Sequence, residues 1–249
     1  VDGCDTAFDC VGLPMEAIGD HPVIARKVAD AARQAQCRLV QVSSFWAYLP
    51  VVRLPLDENH PRSGGPFPVR VRREAEDILQ DAGAAIVHLP DFYGPEVHTS
   101  TLQNALADAV RGRPVGWVGS PHLSRDYVFV PDAMDTVARL AEKDAAYGQR
   151  WIIPGAGPVS LTRLLGIVAR HLGSAPRVRA ASPWLLRVLS IFNRPLRQFL
   201  PMVPHYAGSI SYTGAKLQAL LGKTQVPPYE RGIPATLDWL RDALRPGVP

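Results

Sequence analysis

Cysteine is scarce in this sequence: Cys4, Cys10 and Cys37 form no CxxC pair and match no paired-histidine spacing. An odd set so arranged speaks against a disulfide framework and a zinc site, and leads us to expect a reducing, cytoplasmic setting. Long apolar runs are also lacking. Nowhere do the roughly 20 uninterrupted apolar residues of a spanning helix occur. The richest stretch, Trp184 to Leu200, is broken by Arg187, Arg194, Pro195 and Arg197. No signal-peptide pattern is present. Between Ala145 and Tyr229 there is no acidic residue at all, whereas ten basic ones fall there. Elsewhere 17 basic residues face 23 acidic ones, so the formal +4 divides into a mildly acidic part and a strongly basic one. Such a field favours an anionic ligand. No nucleic-acid-binding module accompanies it, and a small-molecule substrate is expected instead.

What remains is ample for a packed core: 249 residues, 47% of them hydrophobic, enough for one large domain or two unequal ones. Short apolar runs alternate with helical patterns, the signature of an α/β fold with a parallel sheet. Thr6 to Val11, Arg38 to Ser43, Ala85 to Leu89, Tyr127 to Val130 and Trp151 to Ile153 read as strands. Helical spacing runs over His21 to Gln36, Arg70 to Ala82 and Thr101 to Val110. Asp132 and Ser160 are expected to cap the helices that follow them. Polar or special residues gather at the carboxyl ends of the strands, at Cys10 to Gly12, at Ser43 and Ser44, and at Pro90 to Pro95. An open parallel sheet binds its ligand at those ends.

Several segments, in order, resemble the extended short-chain dehydrogenase/reductases of the NAD-dependent epimerase/dehydratase group. DTAFDCVG (Asp5 to Gly12) is similar to that family's fourth strand, and VQVSSFWAY (Val40 to Tyr48) to the strand carrying its catalytic serine, here Ser44. HLPDFYGP (His88 to Pro95) resembles RPxxVYGP, and RDYVFVPDA (Arg125 to Ala133) resembles RDyvyVdD, whose arginine often meets a diphosphate. PGAGPVSLTRLLGIV and LLGKTQVPPYERGIPATLDWL look like the closing segments. The resemblance implies a Rossmann-like doubly wound parallel sheet with a smaller C-terminal substrate lobe. Residues 1–144 would be a partial NAD(P)-binding domain, with 91–124 contributing to the substrate site. Residues 145–249 would be a basic lobe with some returning Rossmann elements.

Two features depart from the family. A glycine-rich TGxxGxxG turn, which cradles pyrophosphate at a helix N-terminus, is absent from the sequence. Val1 also falls directly before the strand that matches the family's fourth. By this reading two βαβ units of about 30 residues each are expected upstream. The YxxxK pair is missing too. Aligning on Glu76 places Pro68 at the tyrosine and Arg72 at the lysine; a shift by one offers Phe67 and Val71. A free phenol titrates near about 10 and needs a neighbouring cation to serve as acid and base, and arginine cannot share protons as lysine does.

The resemblance carries over a set of site residues, several with a structural alternative. Ser44 orients a substrate hydroxyl or satisfies the end of its strand. Tyr93 and Tyr48 replace the lost phenol or are packed aromatics. Asp91 steers a hydroxyl or serves as a base, or shapes a turn before Phe92. Tyr93 and Asp91 join Ser44 as expected catalytic residues. Cys10, Val11, Gly12, Ser43, Arg72, Leu89 and Pro90 are expected beside NAD or NADP. Arg125, as an anion clamp, is expected at the substrate, together with Tyr48 and His88, the latter otherwise a buried histidine holding its loop. Ser182 to Leu200 reads as a helix pair packing the lobe, as a lid, or as a membrane-surface helix. A non-catalytic sensor, scaffold or assembly role and a homodimer both remain open.

Overall fold

Side-chain alternation along two central strands organises the molecule. A computed structural model describes residues 3–181, 183–206, 208–224 and 226–244. Strand β1 (Thr6–Asp9) leads through a 3-10 turn (Met15–Asp20) into α1 (His21–Gln34). β2 (Arg38–Ser44) ends in a second such turn (Phe45–Tyr48), and the Pro/Gly-rich loop delivers the chain to α2 (Phe67–Asp81) and β3 (Ala85–Leu89). Then come β4 (Asp91–Tyr93), α3 (Thr101–Val110), β5 (Val115–Val118), β6 (Ser124–Arg125), β7 (Tyr127–Phe129), α4 (Val130–Ala141) and β8 (Arg150–Ile152). After β9 (Val159–Ser160), α5 (Leu161–Leu172) and β10 (Val178–Ala181) follow α6 (Pro183–Ser190), α7 (Arg194–Phe199), α8 (Val203–Tyr206), α9 (Ala215–Leu221) and α10 (Tyr229–Ala243).

The main sheet is wholly parallel, in the order β1-β2-β3-β8. Successive residues of a strand point to opposite faces. Leu39 and Ile86 accordingly pack with Ala25, Ala29, Ala75 and Leu79 of α1 and α2. Val40, Ala85 and Val87 meet Val137 and Leu140 of α4 and Leu217 of α9 on the other face. Helices therefore cover both sides, as the near-continuous apolar strands require. Register sets Ser43 beside His88 and Ser44 beside Leu89, so β2 and β3 end level.

Most expected elements form within a residue or two, because their periodicity is local. Ser160 caps α5, accepting the Arg163 N–H at 3.3 Å, and Gly173 ends that helix at φ 72°, where a Cβ would be strained. Asp132 is a correction. Helix α4 starts at Val130, two residues before it, and no side chain caps that end. Pro131, with its preset φ and no N–H to leave unpaired, suits the first turn. Ser182 lies outside the described residues; the rest of Ser182 to Leu200 forms the pair α6 and α7.

A second core joins α3, α5 and α10, and Asp126 ties it to the sheet. Its buried carboxylate accepts the N–H groups of Gly155 and Gly157 and the Tyr229 hydroxyl, each at 3.1 Å. Gly155 passes so close that an added Cβ would stand 1.9 Å from the Tyr127 carbonyl oxygen. Gly155→Ala is therefore expected to lower stability by about 2 kcal/mol or more. Gly166→Ala within α5, where the nearest atom is 3.9 Å away, should be neutral or stabilising by up to about 1 kcal/mol. Paired urea melts check both.

Candidate active site

Helix α2 carries three charged residues inward, and each does something different. Arg73 donates to the carbonyls of Ala47 at 2.6 Å, Gly64 at 2.6 Å and Leu49, fixing the loop after β2. Glu76, one turn on, is fully buried. It accepts from Ser43 Oγ at 2.5 Å, Arg62 Nη2 at 2.7 Å and His88 Nε2 at 3.1 Å. The other ring nitrogen of His88 meets the Tyr48 hydroxyl at 3.2 Å. Burial alone would raise the Glu76 pKa, but His88, Arg62 and Ser43 together outweigh it and hold it at about 2. Burial, aided by Glu76, pushes the Tyr48 phenol well above its usual value.

Arg72 faces a cavity of about 600 Å³ at the carboxyl ends of β2 and β3. Leu13, Met15 and Ile18 form one side of it, Ser44 to Trp46 another, and Pro90 to Phe92 a third; Thr101, Phe199 and Tyr206 help to close it. The Arg72 guanidinium lies 5.8 Å from the Trp46 ring centroid, and Nη2 is 3.4 Å from His21 Nε2. Burial and then the charge of Arg72 lower His21 to about 4, so at neutral pH its uncharged ring can accept that N–H. Arg72 Nε has no partner among the described residues.

Asp91 supplies the opposite sign. Its Oδ2 is buried without a partner among the described residues. Burial raises its pKa against the charge of Arg125, the Thr101 hydroxyl and the N–H groups of Phe92 and Thr101. Tyr206 accepts the Trp46 indole N–H at 2.8 Å. Burial keeps this phenol protonated well above its usual value. With its oxygen taken by Trp46, the phenol proton is left to donate elsewhere.

The model of the NAD-dependent epimerase/dehydratase family matches residues 9–153. The chain belongs to that family. Solved structures agree on the fold. UDP-glucuronic acid 4-epimerase from Bacillus cereus, in complex with UDP-glucuronic acid and NAD, superposes with a TM-score of 0.79 at 11% identity, over 96% of this chain and 76% of that one. MoeE5, in complex with UDP-glucose and NAD, gives 0.77 at 18% identity, over 98% and 81%. dTDP-glucose 4,6-dehydratase from Bacillus anthracis str. Ames, in complex with NAD, gives 0.76 at 13%, over 96% and 73%. No curated protein matches the sequence.

Of the residues that the family motifs single out, the structure brings Ser44, Arg72, Pro90 and Asp91 to one cavity. Ser44 also caps the turn after it, accepting the Trp46 N–H at 3.3 Å. Cys10 and Val11 line a smaller cavity of about 350 Å³ along β1 and α1, next to exposed Gly12. Others are held away. Ser43, Tyr48 and His88 belong to the Glu76 cluster, and Leu89 is core. Tyr93, expected at the chemistry, is 1% exposed and packs between Phe129 and Tyr229, away from that cavity's lining. Arg125, expected as an anion clamp, is turned toward Tyr206 in this structure. It is 5% exposed, and its guanidinium donates to the Tyr206 carbonyl at 2.7 Å and lies 4.9 Å from the Tyr206 ring centroid. Phe199 and Tyr206 lie outside the family motifs, and Trp46 lies within VQVSSFWAY but is not singled out by it. Only the adjacency of Trp46 to Ser44 could have suggested one of them.

Glu76 yields a pH dependence with a definite sign. Its folded value lies below the ordinary 4.5, so its stabilisation is complete above that value and is lost as pH falls toward about 2. Glu76→Gln, which takes the buried anion from Ser43, His88 and Arg62 and leaves Arg62 only Asp77 on the surface, should cost about 3 kcal/mol at pH 7. It should also flatten the acid limb of a melting-temperature profile measured from pH 7 downward.

Proposed function

We propose that this chain binds NAD or NADP with the nicotinamide end in the Ser44–Arg72–Asp91 cavity. There it acts on a small anionic, nucleotide-sugar-like or partly apolar substrate, through redox, epimerase or dehydratase-type chemistry without the usual Tyr/Lys pair. The observation that carries this reading is a pair of buried polar atoms without a partner among the described residues, Arg72 Nε and Asp91 Oδ2, on two residues that line one largely apolar cavity. Buried polar groups left unpaired are costly, and a ribose hydroxyl, a carboxamide or a sugar hydroxyl would satisfy both. The apolar side formed by Leu13, Ile18 and Trp46 suits a flat ring. The fit concerns this end of the dinucleotide alone, because the sequence has no glycine-rich phosphate cradle. All three structural relatives described above hold NAD in their crystals.

When bound, the nicotinamide supplies hydride transfer; the protein's residues manage protons and orientation. Asp91 is the proton carrier in this reading, because its raised pKa brings it nearer the working pH than an ordinary carboxylate. Tyr206 donates its O–H to a substrate oxygen and is held in place by Trp46. Burial makes it a hydrogen-bond donor and not a base. Ser44, whose oxygen already accepts from Trp46, donates in the same way. Arg72 is a fixed cation that orients and cannot exchange a proton. The basic segment from Ala145 to Tyr229 favours approach of an anion.

A second reading, a dinucleotide-binding protein without turnover, is favoured by α2 itself, which presents Pro68 and Arg72 but no tyrosine. Fluorescence titration with NADH and with NADPH tests the binding claim; saturation by one of them is expected, and binding of neither ends both readings. With substrate in hand, Asp91→Asn should cut turnover by about 100-fold or more. Unaltered turnover would remove Asp91 from the chemistry.

A further inference from the structure

Helices α6 and α7 expose an apolar tip that neither the fold nor the cavity uses. Phe192 is 89% exposed, Trp184 70% and Ile191 63%, with Leu189 and Val188 also open to solvent. The tip is built, not frayed. Ile191 and Phe192 donate backbone N–H groups to the carbonyls of Val188 and Leu189, each at 3.2 Å. Asn193 then caps α7 by accepting the Leu196 N–H at 2.9 Å. Leu186 faces inward, and buried Met202 lies on the turn that packs against α6.

Charge identifies what such a tip fits. Arg187, Arg194 and Arg197 on the two helices and Arg179 on β10 are exposed, within the stretch that contains no acidic residue. Among the described residues none of these four joins an ion pair. Helix α7 packs on the turn bearing Glu16 and Asp20, yet the tip itself is free of negative charge. A protein partner would meet a projecting wedge; an anionic bilayer meets aromatic and aliphatic side chains at its acyl boundary and arginines at its phosphates.

We propose that the α6–α7 tip docks this protein on the surface of an anionic lipid bilayer, with Ile191 and Phe192 inserted and Arg187, Arg194 and Arg197 at the headgroups. Contact is peripheral, since no helix among the described residues is long and apolar enough to cross a membrane. The inference does not depend on the dinucleotide reading. Phe199, at the end of α7, also lines the candidate active site, so the docking element and the cavity share a helix.

Co-sedimentation with vesicles tests it, using phosphatidylcholine alone and phosphatidylcholine mixed with phosphatidylglycerol. Binding is expected to the mixed vesicles only, and to weaken with added salt. Replacing Ile191 and Phe192 together by serine should reduce binding tenfold or more, by about the transfer cost of two apolar side chains. Arg187→Gln with Arg194→Gln should reduce it about 25-fold, at roughly fivefold per arginine. Both variants change exposed residues, and an unchanged circular dichroism spectrum confirms that they fold. Absence of binding to the mixed vesicles, or equal binding by the serine variant, would overturn the proposal. So would a dimer in light scattering that the serine variant disperses, since the tip would then be an interface between copies.

Discussion

A carboxylate with no exposed surface stays ionised only if the protein replaces the water it has lost. At Glu76 that replacement comes from β2 through Ser43, from β3 through His88 and from the Pro/Gly-rich loop through Arg62. Those are the pieces that must be aligned for a site to exist at the carboxyl ends of the strands. Ser44 follows Ser43 directly, Pro90 and Asp91 follow His88 within three residues, and Arg72 lies one turn before Glu76 on α2. Removing the buried charge would loosen all of these positions at once. Breaking such a pair costs more than forming it gains, so Glu76 acts chiefly through specificity of arrangement.

Around this anchor the polar groups divide by task. Glu76 is ionised, saturated with donors and withdrawn from the cavity. Asp91 keeps one oxygen without a partner among the described residues and is raised in pKa, and it stands on the cavity wall. Arg73 and Arg125 serve the backbone, binding carbonyls of the loop after β2 and of Tyr206. Arg72, which lines the cavity, keeps one buried donor unused among the described residues. Two arginines adjacent in sequence thus have different roles, because neighbouring positions on a helix face different surroundings.

Much of the fold was legible because its signals are local. A short apolar run closed by Pro90 marks β3, and spacing marks α1 and α3, while Ser160 announces α5 to the residue. The start of α4 misled because Pro131 opens a helix as readily as Asp132 caps one. The site was half legible. Ser44, Asp91 and Arg72 sit where strand ends and a helix face put them. Tyr206 could not be read, since its partner Trp46 lies 160 residues away in sequence. The burial of Tyr93 depends equally on distant Phe129 and Tyr229. Arg125 matched a motif, yet its guanidinium is occupied by a residue that no motif includes.

The division between an ionised anchor and a protonatable wall can be measured directly by a carbon-detected NMR titration of the side-chain carboxyls, with Glu76 and Asp91 assigned by substitution. The expected result is a Glu76 signal that stays ionised down to about 2 and an Asp91 midpoint above the ordinary 3.8. The reverse order, or ordinary values at both residues, would contradict the division on which the candidate site rests.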